Sequence, residues 1–255
     1  MIYRLLFICI CCFSAVFKLQ ATEALVSAPL LKKSLYYLDR DLDKAEDIIV
    51  KALEEAPEDA EVNFVCGRIM GKQAENTIIY ALSYAKKSLS CLRKAVKLEP
   101  SEIRYKLGLL NFYLGAPSIA GGDVNLAHEQ VAAISTVDEM QGAKAKVKFL
   151  MATEQNKKLK AYLMSARKKY PDDAEFHFRS GLLSQQNKMY EQAYEAFKAA
   201  IQTHEASSHY LNAMYQLGRN AVLSNLYIEE GAEMLQIYIK IHNIKMISLL
   251  FHGLI

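Results

Sequence analysis

AEFHFRSGLLSQQNKMYEQAYEAFKAAIQTHEAS, residues Ala174 to Ser207, is the stretch on which the fold turns. It reads as two amphipathic helices joined by a short polar turn, 34 residues in all. Gly181 is followed after twelve residues by Ala193, after four more by Phe197 and after three more by Ala200. Small residues let two antiparallel helices cross closely, and a large apolar residue fills the space between them. A repeat of this length is one helical hairpin that must stack on its neighbours to bury its apolar face.

The same offsets recur along the chain, giving repeats at about 26–59, 60–102, 103–139, 140–173, 174–207 and 208–240. In the first, Pro29 is expected to open a helix carrying LLKKSLYYL, and Ala45, Ile49, Ala52 and Pro57 repeat the pattern of the second helix. In the second, Gly67 is followed by Ser88, Leu92, Ala95 and Pro100, nine residues late; the extra KQAENTIIYALSY lacks turn residues and is expected to lengthen the two helices, so that this pair projects. In the third, APSIAGGD interrupts two helices, with Asp123 placed to cap the second of them. A glycine-rich turn before a helix can also cradle an anion, but no phosphate-loop spacing and no preceding strand accompany it, so a structural turn is expected. The fourth places Val147, Leu159, Leu163, Ala166 and Pro171 in register and overlaps the third by about two residues, so either a linker is shortened or the register slips there. Pro57, Pro100 and Pro171 are expected to end helices, because proline disfavours helical backbone in the residue before it.

Composition agrees with a folded chain of 255 residues, 52% apolar and 23% charged. The net charge of +3 is spread with acids among the bases, so nucleic acid is not an expected partner. The first 24 residues, MIYRLLFICICCFSAVFKLQATEA, have a basic start at Arg4, a 13-residue run from Leu5 to Phe17, and small residues at Ala21 and Ala24. The run is too short to span a bilayer, which takes about 20 residues. A signal peptide over 1–24 is expected, and with it export to the periplasm; an uncleaved N-terminal membrane anchor is the alternative. Loss of Arg4, Lys18 and Glu23 removes two bases and one acid and leaves +2.

Cys66 and Cys91 are the cysteines left beyond residue 24. They fall on the facing helices of the second repeat. The expectation is two buried thiols serving as small apolar side chains, with a disulfide the alternative in an oxidising compartment.

Catalytic signatures are lacking. His204, Glu205 and His209 approach a zinc motif, but HExxH needs histidines four apart on one helix face, and here they are five apart. The expectation is no enzyme, no metal and no cofactor. The last repeat opens well at Leu217 and Gly218 but has a late partner helix and an apolar tail over 241–255, IHNIKMISLLFHGLI, where a polar capping face is usual.

The recurring Gly/Ala, Ala, Phe/Leu/Ile, Ala and Pro positions resemble the tetratricopeptide repeat (TPR) family over nearly the whole chain from 25 to 240. The lengthened second repeat and the GAPSIAGGD insertion resemble a group of exported bacterial TPR proteins of undefined biochemical role. The resemblance implies an all-α solenoid, a right-handed superhelix, whose concave face binds extended peptides or helices. On that pattern Phe64, Arg68, Lys144, Lys148, Phe178, Gln185, Tyr215 and Arg219 are expected to face the groove, with Arg68, Lys148 and Arg219 at equivalent sites. Cations between aromatics suit a protein or peptide carrying carboxylates, although the full Lys and Asn set of the carboxylate-binding TPR subgroup is absent; a solvated face is the alternative. The implied role is a protein-binding scaffold of the bacterial cell envelope. A small-ligand subunit of an envelope transporter and an oligomerising assembly protein are the other two readings. Membrane contact is expected only through an uncleaved N-terminus or the apolar tail.

Overall fold

The computed structural model describes residues 27–203 and 207–252. The expected signal segment, and His204 with Glu205, lie outside them. The described residues are all-α. Helix α1 spans 27–37, followed by α2 (Leu42–Glu55), α3 (Ala60–Asn76), α4 (Ala81–Leu98), α5 (Ile103–Gly115), α6 (Val124–Ser135), α7 (Glu139–Ala152), α8 (Asn156–Lys169), α9 (Ala174–Gln186), α10 (Tyr190–Gln202), α11 (Ser208–Ser224) and α12 (Ile228–His252). Helix α1 already includes Ser27 and Ala28, so Pro29 lies inside it and does not open it.

Three boundaries share one device. Helices α2, α4 and α8 each end two residues before a proline, at Pro57, Pro100 and Pro171. Two residues after each proline an acidic side chain caps the next helix. Asp59 accepts from Val62 N at 3.0 Å, Glu102 from Arg104 N at 2.9 Å, and Asp173 from Glu175 N at 3.0 Å. Proline stops one helix, and the acid satisfies N–H groups that the next leaves open.

The chain forms two compact units, the first reaching to Ala145 and the second starting at Lys146. Within the first, α2 packs on α3, α3 on α4, α4 on α5 and α5 on α6. Within the second, the same succession runs from α8 to α12. Consecutive hairpins stacking in this way make the chain an α-solenoid. The small residues sit at the crossings. A methyl group at Gly67 would lie 2.6 Å from the Leu92 side chain, and one at Gly218 would lie 2.3 Å from Leu235. Ser88 takes the small position on α4 and donates its hydroxyl to the Gly67 carbonyl at 2.7 Å, which satisfies a polar group in the core. Ala45, Ile49 and Ala52 on α2, Leu159, Leu163 and Ala166 on α8, and Ala193, Phe197 and Ala200 on α10 are buried as the repeat spacing requires.

Helices α3 and α4 have 17 and 18 residues, against 14 in α2, so the extra sequence does lengthen both. It also supplies the turn between them. Ile78, Ile79 and Tyr80 stand there 97%, 84% and 63% exposed. Cys66 on α3 and Cys91 on α4 are joined by a disulfide, with Cα atoms 6.0 Å apart, so the expectation of two separate thiols is replaced. The close crossing at Gly67 is what brings the two helices within bridging distance.

The APSIAGGD segment is a structural turn. Ser118–Ala120 forms one 3-10 turn, Gly121 takes a left-handed φ of 102°, and a methyl group at Gly122 would lie 1.7 Å from the Ala116 carbonyl oxygen. The amides of Gly121, Gly122 and Asp123 donate to the carbonyls of Ser118, Pro117 and Tyr113. These three N–H groups are therefore taken up by the turn itself and do not cradle an anion. Asp123 caps α6, accepting from Asn125 N and Leu126 N at 2.7 and 3.1 Å. The linker from α6 to α7 is three residues, Thr136–Asp138. Helix α12 continues unbroken through residues 241–252, the part of the apolar tail that is described. No helix of the described residues is long and apolar enough to cross a membrane.

Candidate functional site

The first unit contains a groove of about 730 Å³. Its walls are the Gly67, Arg68 and Gly71 face of α3, the Leu82 and Ala85 face of α4, and the Asn111 and Gly115 face of α5, with Ile119 at the edge. Glycines at 67 and 71 fall one turn apart on a helix, and those at 108 and 115 two turns apart; Leu92 covers Gly67 and Phe64 covers Gly108, so the open backbone lies at Gly115. At Gly115 a methyl group would meet nothing within 4 Å, which marks open space beside a backbone.

Charge lies at the rim. Lys72 is paired with Asp39 and also reaches the Leu38 carbonyl at 3.5 Å. The Lys72 ammonium holds the Asp39 carboxyl below its usual range, with Arg68 and Arg40 adding to the effect. Arg68 is exposed, and no hydrogen bond to its guanidinium is formed among the described residues, although Asp39 feels its charge. A guanidinium in that state offers its planar donor fork to an incoming carboxylate.

Other residues expected at the groove are placed differently. Phe64 is 9% exposed and packs on Tyr105 at 4.9 Å between ring centres, filling the space beside Gly108. Phe178, 6% exposed, lies in the core of the second unit against Phe197 at 6.1 Å. Gln185 is buried too. Its amide donates to Asn220 Oδ1 at 3.3 Å and accepts from Arg219 at 3.4 Å, while Asn220 donates to the Tyr190 carbonyl at 2.9 Å. Thus Gln185 and Arg219 are brought together, with Gln185 positioning an exposed cation. Tyr215, one turn before Arg219, is 45% exposed with its ring 5.7 Å from Tyr238. Lys144 on α7 is half-buried. Lys148, exposed on the same helix, has its pKa held below the ordinary lysine value by desolvation and by the Arg179 guanidinium, with Glu175 opposing. The three equivalent cations are therefore divided between units, Arg68 in the first, Lys148 and Arg219 in the second.

Arg179 was not among the expected residues. Its terminal nitrogen reaches Glu175 at 3.5 Å, four residues earlier on α9, and its Nε is buried with no hydrogen-bond partner. The Glu175 to Arg179 spacing was a readable signal, but only the tertiary structure shows that Lys148 feels the charge of both. Gly71 and Gly115, also missed, were legible as glycines one and two turns from Gly67 and Gly108. His209, which entered the zinc comparison, lies 3.7 Å from Glu175 and packs on Phe178. Among the described residues no three His, Cys, Asp or Glu side chains gather as a metal site.

No protein-family model and no curated protein matches the sequence. Solved structures do. The structure of PilF from Pseudomonas aeruginosa aligns over 85% of this chain and 90% of its own length, with a TM-score of 0.54 and 14% identity. TTC0263, a thermophilic TPR protein of Thermus thermophilus, aligns over 77% of this chain and 99% of its own, with a TM-score of 0.53 and 16% identity. At such identities the likeness establishes the fold, and that fold is the TPR fold.

Proposed function

We propose that this chain is a non-enzymatic scaffold of the bacterial cell envelope that holds a carboxylate-bearing protein or peptide segment in the groove of its first unit. The observation that carries this is the exposed Arg68 guanidinium, without a hydrogen-bonded partner among the described residues, at the edge of a groove of about 730 Å³ whose walls are largely Gly, Ala and aliphatic carbon. The open backbone at Gly115 admits a ligand closely, and the cation orients it. The envelope setting is supported by the basic-apolar-small order of residues 1–24 and by the Cys66–Cys91 bond, a feature favoured in oxidising compartments.

The test uses two variants. Arg68→Ala removes the cation, and Gly115→Leu fills the groove from a position where an added Cβ meets nothing within 4 Å. Affinity capture from a bacterial envelope fraction, with mass spectrometry, should recover a protein with the native chain that both variants lose by about tenfold or more. Their melting temperatures should stay near native. Equal recovery on all three proteins would reject the groove as the binding site.

The exposed Ile78, Ile79 and Tyr80 favour a second reading, an assembly protein that associates through this tip. Light scattering should then show association that Ile78→Ser with Ile79→Ser abolishes. A monomer across the micromolar range removes that reading.

A further inference from the structure

A second cavity, about 650 Å³, lies wholly within the second unit, between α8, α9 and α10. Its walls are opposite in charge. Lys160 and Arg167, two turns apart on α8, supply one side; Glu191 and Glu195, one turn apart on α10, supply the other. Among the described residues neither cation is ion-paired with either carboxylate.

Arg167 is held in place from below. Its Nε donates to His177 Nδ1 at 3.1 Å and its Nη1 to the Ser180 hydroxyl at 3.1 Å. His177 in turn donates from Nε2 to the Pro171 carbonyl at 2.7 Å. An imidazole that accepts on one nitrogen and donates from the other is neutral, so it orients the guanidinium without repelling it. The second terminal nitrogen of Arg167 makes no such bond, and the Arg167 side chain lines the cavity. A preset cation is a costly thing to leave half-buried, and the facing acids do not neutralise it.

We propose that this cavity binds a zwitterionic ligand of the amino-acid or short-peptide class, with its carboxylate at Arg167 and Lys160 and its ammonium at Glu191 and Glu195. A simple anion would be attracted by one wall and repelled by the other; a molecule carrying both charges satisfies both. The volume falls within the roughly 300–1,000 Å³ of small-ligand pockets and leaves room for a few residues. This site is separate from the groove of the first unit and does not depend on its occupant.

The test is an NMR titration of the full chain, isotopically labelled, with alanine and with trialanine, both zwitterionic, and with trialanine capped at either end. Amide shifts on α8 and α10 are expected with alanine, trialanine or both, and which of them responds separates a free amino acid from a peptide end. Each capped form should bind at least tenfold more weakly than trialanine, or fail to bind if alanine alone responds. Arg167→Gln should lower the affinity at least tenfold. Glu195→Gln, an exposed change that leaves the core intact, should also lower it. No shift from alanine or trialanine, equal binding of the capped forms, or unchanged affinity in Glu195→Gln would each overturn the proposal.

Discussion

Gly181 on α9 lies beneath the ring of Phe197 on α10, where a methyl group would come 2.4 Å from Cε1. Phe197 is fully buried, so the ring has little room to retreat. Their separation of 16 positions in sequence is the one that defines the hairpin, and this contact is what the spacing encodes.

Gly181→Ala should therefore destabilise the protein by about 1–3 kcal/mol through overpacking, despite alanine's better helix propensity. Gly115→Ala, where nothing lies within 4 Å, should leave the melting temperature level or slightly higher. Thermal denaturation of both variants checks the pair. Phe197→Leu placed behind Gly181→Ala should recover part of the loss, a coupling that a double-mutant cycle would expose.

Lys188, in the turn between α9 and α10, has a left-handed φ of 59°, and Glu154, 34 residues earlier in the turn between α7 and α8, has φ 55°. Neither is the glycine that such backbone favours. Lys188→Gly should raise stability by about 0.5–1 kcal/mol, with the gain appearing in the denaturant midpoint and not in its slope. A loss of stability would mean that the side chain contributes more than the backbone strain costs.

The Cys66–Cys91 bond closes a loop with a sequence separation of 25. Loop-closure entropy for that length gives about 3 kcal/mol of stabilisation. The double variant Cys66→Ala with Cys91→Ala should lose about that much. Reductant should lower the melting temperature of the native chain and leave the variant unmoved; mass measurement under non-reducing conditions reports the bond directly.

Burial pushes the His177 pKa below its ordinary value of 6.5, the Arg167 guanidinium lowers it further, and the Pro171 carbonyl with Asp172 and Asp173 acts against them. The unfolded chain then takes up a proton near pH 6.5 that the folded chain takes up only at lower pH. Stability is thus fully present above about pH 6.5 and falls as pH drops from there through the folded pKa. Asp39, Asp41 and Glu102, whose values are lowered by partners, begin to cost stability only in the more acidic range below their ordinary values. His177→Gln should flatten the melting temperature between about pH 7 and pH 5. An unchanged slope in that window would assign the effect elsewhere.

Much of this architecture was legible because it is carried by short-range pattern. Gly181, Ala193, Phe197 and Ala200 announce a helical hairpin, since crossing helices need small residues at fixed offsets whatever the rest of the chain does. Asp123 could be placed as a cap for the same local reason. The lengthened pair was read correctly as helix, yet its turn at Thr77–Tyr80 carried no sequence signal, having no glycine or proline to mark it.

The site was less legible. Phe64 and Phe178 sit at positions where the repeat pattern allows either groove or core, and the neighbouring hairpin's packing turned both inward. The sequence by itself determined the succession of helices, their small-residue crossings and the prolines and acids that punctuate them, because each depends on residues within about one hairpin of each other. Only the tertiary structure decided that Cys66 meets Cys91, that Lys72 spends its charge on Asp39 while Arg68 keeps its donors unoccupied, and that His177 steadies Arg167 above a second cavity. Those outcomes follow from distances between separate helices, which packing sets and local periodicity does not.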